Sequence, residues 1–127
     1  MRKHLAIFNK EAVERIFKGQ KKIEMRFSKR KIAPFGVVSV GDVVFVKPTG
    51  GDIAGQFGVK KVIFIEGFSK NDLKSLNLED FDEFDQKYLD SKVKVNFATI
   101  IYLDQIEQFI TSPIRIQKRD LRGWMVI

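Results

Sequence analysis

The sequence contains no cysteine and a single histidine, His4. Without cysteine there are no disulfides, no thiolate nucleophile and no Cys-ligated zinc. With one imidazole near the N-terminus, a Ser-His-Asp or Cys-His site would have to use His4, which reads instead as a routine surface or strand residue. No cluster of His and carboxylates has the spacing of a zinc or non-haem iron site. The acidic run "DFDEFDQKYLD" lacks the central glycine of an EF-hand loop, and Phe84 stands where a third oxygen ligand belongs. Glycine-rich phosphate loops are missing as well. No metal and no cofactor is therefore expected. There is also no long uncharged apolar run, and the opening "MRKHLAIFNKEAVE" breaks off too soon for a signal peptide, so no membrane association and a cytoplasmic location are expected.

What is present suits one globular domain spanning residues 1–127. The chain is 44% hydrophobic with 12 phenylalanines, enough to fill a core without staples. The net charge is +7, unevenly spread. Residues 69–92 hold seven acids against four lysines, a balance of −3, which leaves +10 elsewhere. Between Lys18 and Lys31 there are seven cations and one acid, Glu24. A basic face beside an acidic segment suits a polyanionic ligand, and a merely solubilising surface competes with that reading.

Residues 4–8 read as a strand. Asn9 is a plausible N-cap for a helix over 10–18 that puts Ala12, Val13, Ile16 and Phe17 on one face, and Gly19 suits the left-handed residue that ends it. The period then changes to two. Ile23, Met25 and Phe27 face one way, and Lys22, Glu24 and Arg26 the other. "SKRKIAPFG" reads as a basic loop, and Gly41-Asp42 as a turn feeding a strand apolar on both faces. Residues 53–65 form one or two strands, where Gly55 and Gly58 suggest bulges or a barrel corner. An acidic helix over about 78–89 precedes a strand over 93–102 and short strands at 114–116 and 124–127. The fold class is α+β: a small mixed β-barrel of about six strands, with a short helix after the first strand and an acidic helical segment before the C-terminal strands.

On physics alone the stretch around Lys21, Glu24 and Arg26 has two readings. Its carboxylate could accept from a nucleobase amino group while the cations meet phosphate. It could equally be a half-exposed strand with an ion pair worth no more than about 1 kcal/mol.

The pattern Gly19-x-Lys21-x-x-Glu24-x-Arg26 resembles the G-x-K-x-x-E-x-R signature of ASCH domains, relatives of the PUA domain. "VGDVVFV" and the C-terminal "KRDLRGWMVI" are similar to other parts of that family. The resemblance implies a PUA-like β-barrel with a basic cleft beside the motif strand, binding RNA or a nucleoside-like ligand. Gly19, Lys21, Glu24 and Arg26 would belong to that site, with Lys29 and Arg30 of the basic loop as further contacts. A bacterial branch resembles N4-acylcytidine amidohydrolases but carries threonine, its nucleophile, where this chain has Glu24. A carboxylate cannot replace an activated hydroxyl in that role, and Ser28 is the nearest hydroxyl. If the chain is an enzyme, a hydrolase of modified nucleosides, Lys21 would move the proton and Glu24 would orient water or base. Other members resemble ribonucleases. A protein-interaction module using the acidic segment is the remaining alternative. Phe27, Phe35, Tyr102 and Trp124 are aromatics that could stack on bases, with core packing the competing role for each.

Overall fold

The computed structural model describes residues 1–67, 81, 87, 96–111 and 122–127. The acidic helix, the strand at 114–116 and most of "QKRDLRG" lie outside the described residues. Within them the chain forms six strands and one helix. These are β1 (Lys3–Phe8), α1 (Lys10–Phe17), β2 (Ile23–Ser28), β3 (Val43–Pro48), β4 (Gly55–Glu66), β5 (Phe97–Gln108) and β6 (Trp124–Val126). They make a single mixed sheet in the order β2-β5-β4-β3-β1-β6, in which β1 and β3 are parallel and every other pairing is antiparallel.

The helix starts and stops where its residues dictate. Asn9 takes an extended conformation and its side chain accepts from the Ala12 N–H at 2.8 Å. At the other end Gly19, at φ +73°, lets its own N–H reach the Ile16 carbonyl while the Gln20 N–H reaches Arg15. This pair of bonds is a Schellman closure, which a left-handed glycine allows. The chain leaves it directly into Lys21, whose N–H also bonds the Arg15 carbonyl at 3.1 Å.

The two long strands β4 and β5 curl the sheet into a half-barrel. Their register shifts between Gln56 and Gly58 and again between Val59 and Lys61. Each shift adds a residue to one strand, bends it and resets which side chains face inward. Phe57 and Val59 face the concave core, and after the second bulge Val62 does so, while Ile63 and Ile65 pack on the convex side. Gly55 has no room for a side chain, because a Cβ there would meet the Glu107 carbonyl and the Phe17 ring. The concave core joins Val13 and Ile16 of α1 to Phe8, Val44, Val46, Phe57, Ile101, Leu103 and Trp124. On the convex side Ile23, Met25, Ala98 and Ile100 pack with Phe81.

His4 corrects one expectation. It is a strand residue, but it is fully buried, at the centre of a polar chain in the apolar interior. The Trp124 indole Nε1–H donates to His4 Nδ1 at 3.1 Å, and His4 Nε2 lies 2.8 Å from Asp42 Oδ2. An indole can only donate, so Nδ1 accepts and the ring proton sits on Nε2, facing the carboxylate. Asp42 also accepts from the Arg2 and Ser39 N–H groups. Burial pushes its carboxyl up, but the Arg2, His4 and Ser39 hydrogen bonds outweigh burial and hold it below the ordinary value of 3.8. The network ties β6, β1 and the turn before β3 together, three segments distant in sequence.

A carboxyl depressed in the native state adds stability above its unfolded value, and that stability is lost as pH falls through the lower native value. The wild-type urea midpoint is therefore expected to fall between about pH 5 and pH 2 more steeply than that of Asp42→Asn, which should itself be less stable by about 1–3 kcal/mol at neutral pH. Parallel acid profiles for the two proteins would contradict this account of Asp42.

Candidate functional site

β2 lies at one edge of the sheet and pairs only with β5, so half of its backbone groups face away from any strand. The even-numbered residues pair with Ile101 and Thr99, and this register turns Glu24 and Arg26 towards the concave side. The expected alternation holds. The face carrying Glu24 and Arg26, however, is the inside of the half-barrel and not open solvent. Glu24 is only 7% exposed and Lys21 only 6%.

Arg26 reaches across the open side of the half-barrel. Its Nη2 donates to the Ile7 carbonyl of β1 at 2.8 Å, and its Nη1 to the Gly123 carbonyl beside β6 at 3.3 Å. The guanidinium carbon lies 4.8 Å from the centre of the Phe8 ring and 5.4 Å from that of Trp124. A planar fork with two parallel donors and aromatic neighbours is what arginine offers and lysine does not. Gly123 permits the approach, since a Cβ there would stand 3.3 Å from Nη1. Arg26 thus joins the two ends of the strand order, β2 at one end and the β1–β6 pair at the other.

Glu24 supports this arrangement. Its Oε1 accepts from the Met25 N–H at 2.9 Å, a group with no strand beside it, and its Oε2 lies 3.6 Å from Arg26 Nη2. Lys21, Glu24 and Arg26 then line one cleft of about 350 Å³ with Phe8, Asn9, Glu11 and Arg15. The arrangement gathers three cations and two carboxylates around a concave, partly apolar space, a donor-rich wall suited to a phosphate and a carboxylate suited to a base amino group.

The structure therefore brings three of the expected site residues together and separates the others. Gly19 shapes the turn that delivers Lys21 and does not line the cleft. Lys29 and Arg30 are exposed on the loop after β2, where the Lys29 carbonyl accepts from Asn96 and the Arg30 carbonyl from Ser28 Oγ. Neither lines the cleft. Trp124 is buried in the core, and Phe27 packs against the convex cluster. Phe35 packs edge-on against Phe64 and Phe97, while Tyr102 sits half-buried beneath the Lys61 ammonium. Arg15 and Glu11 were missed by sequence reasoning. They sit four residues apart beside the apolar stripe of α1, a spacing that puts them on one flank of the helix, but nothing local says which strand that flank meets.

The topology resembles solved structures from Zymomonas mobilis. A serine-to-alanine mutant of its ASCH protein superposes with a TM-score of 0.69 at 15% identity, covering 99% of this chain and 88% of the other. The fold is that of an ASCH domain. The unmutated Zymomonas mobilis ASCH protein and a tyrosine-to-phenylalanine mutant agree, each at a TM-score of 0.62 and 16% identity, covering 84–85% of this chain and 70–73% of theirs. Neither a family model nor a curated protein matches the chain by sequence. At these identities the likeness is one of fold, so the chemistry of this chain has to be argued from its own residues. Among the described residues no cluster of His, Asp and Glu could hold a metal ion, and no helix is long and apolar enough to cross a membrane.

If Arg26 closes the half-barrel, Arg26→Lys should lower unfolding stability by about 1.5–3 kcal/mol, because lysine replaces two nitrogens held in one plane, one for each carbonyl, by a single ammonium without that geometry. Glu24→Gln keeps an acceptor for the Met25 N–H and should cost less than about 1 kcal/mol. Urea titration of the two variants checks the order, and equal losses would assign the closure to something other than the fork.

Proposed function

We propose that the chain binds single-stranded RNA, or nucleosides and nucleotides as its smaller units, in the cleft beside β2. The observation that carries the reading is the convergence of Arg15, Lys21 and Arg26 with the carboxylate of Glu24 on one concave space. Guanidinium groups match phosphate oxygens with paired donors, and lysine adds a compact point charge. Glu24 can only accept hydrogen bonds when ionised, so it selects for a donor such as the amino group of cytosine, and it disfavours a ligand that offers only acceptors. Phe8 supplies an apolar surface under the guanidinium of Arg26. The exposed cations Lys29, Arg30 and Lys31 extend the positive potential beyond the cleft, which raises encounter rates with a polyanion and leaves base recognition to the cleft itself.

Affinity for a short single-stranded RNA should fall steeply with salt, with a slope of about −0.7 per phosphate neutralised. Lys21→Ala is expected to weaken binding at every salt concentration. The double reversal Lys29→Glu/Arg30→Glu should chiefly flatten the slope. Fluorescence anisotropy on a labelled oligonucleotide from roughly 50 to 200 mM salt measures both. Salt-independent binding, or binding unchanged by Lys21→Ala, would contradict the proposal.

A further inference from the structure

Arg26 forms part of two cavities. One is the cleft just described. The other, about 490 Å³, is lined by Phe27, Ser28, Ile32, Pro34, Thr99 and Trp124 together with Arg26 and its neighbours in the C-terminal segment. No other lining residue is common to the two. Both fall within the roughly 300–1,000 Å³ span of small-ligand pockets. Their chemistry differs. The cleft beside α1 is walled by charge. The second cavity sets the apolar side chains of Phe27, Ile32, Pro34 and Trp124 beside the hydroxyls of Ser28 and Thr99 and the guanidinium groups of Arg26 and Arg122, with Lys29, Arg30 and Lys31 between Ser28 and Ile32 in the sequence. Ile32 stands at its rim with more than half of its surface exposed, an apolar side chain held out in water beside three cations.

We infer that the second cavity is a base slot, and that the ligand of this domain is at least a dinucleotide straddling Arg26. This rests on the nucleotide reading of the first cleft. A flat base fits against the apolar walls beside the hydroxyls, while its phosphate meets the guanidinium groups that line the same cavity. Arg26 is suited to the junction. Two of the five N–H donors of its guanidinium go to the Ile7 and Gly123 carbonyls, which fix the plane. The side chain is thereby held as a partition between the two spaces, and the internucleotide phosphate is the part of the ligand that would cross it. A mononucleotide can occupy one side only, so the two-sided wall selects for length.

The test compares cytidine monophosphate, the dinucleotide CpC and its uridine counterpart by calorimetry on the full chain. The dinucleotide is expected to bind about tenfold or more tighter than the mononucleotide, the gain of one additional stacked base. Ala33→Trp, which fills the second cavity from the loop, should abolish that gain and leave mononucleotide affinity unchanged. Ile32→Ala, at an exposed position that folding does not depend on, should reduce the gain severalfold. Lys21→Ala should weaken all three ligands. Equal affinity for mono- and dinucleotides with both weakened by Lys21→Ala would overturn the base slot and leave the first cleft standing. A dinucleotide advantage that survives both Ala33→Trp and Ile32→Ala would overturn it too. No binding of any of the three ligands would overturn the slot together with the cleft on which it rests.

Discussion

The guanidinium of Arg26 is the contact on which the architecture turns. A six-stranded sheet with β2 at one end and β6 at the other has two edges, and each edge exposes backbone groups that need partners or protection. One side chain reaches from the first edge to carbonyls at the second, and Glu24 covers the adjacent N–H on β2. The same contact puts a cation between the rings of Phe8 and Trp124, so closure and core packing are coupled. Trp124 in turn hands its indole proton to His4, and His4 faces Asp42. From the seam to the turn before β3, polar groups inside this small domain are linked through successive partners. Buried polar atoms without a partner are absent among the described residues.

On the proposed reading, one four-residue motif serves fold and ligand together. Gly19 ends the helix and points the chain at the cleft, Lys21 and Glu24 line it, and Arg26 both clasps the half-barrel and forms its wall. A binding group held by backbone carbonyls loses little freedom when a ligand arrives, which favours affinity over adaptability. The exposed loop cations lack such anchoring and suit long-range attraction better than recognition.

Local features were legible in the sequence where a residue type has a local cause. Asn9 and Gly19 mark the ends of α1, the two-residue period after Gly19 marks β2, and Gly55 and Gly58 mark the bend of β4. Four letters of the motif also pointed to the ASCH fold. What local pattern could not reveal depends on contacts distant along the chain. Alternation placed Glu24 and Arg26 on one face, but whether that face meets water or the far edge of the sheet depends on where β1 and Gly123 return, 19 and 97 residues from Arg26. His4 looked incidental because its partners, Asp42 and Trp124, lie 38 and 120 residues away. The parallel pairing of β1 with β3 has no signature in either strand. Lys29 and Arg30 stand out when charge density is read along the chain, but only the fold shows that their loop does not line the cleft.

The most direct test of the dual role of Arg26 is nuclear magnetic resonance of its own side-chain N–H groups, followed during titration with a short single-stranded RNA. The Arg26 signal is expected to be protected from solvent exchange in the free protein, because two carbonyls hold the fork, and to shift on addition of RNA, because the same group lines the proposed binding cleft. Rapid exchange in the free protein would contradict closure by Arg26. A protected signal unmoved at saturating RNA would contradict its place in the binding site.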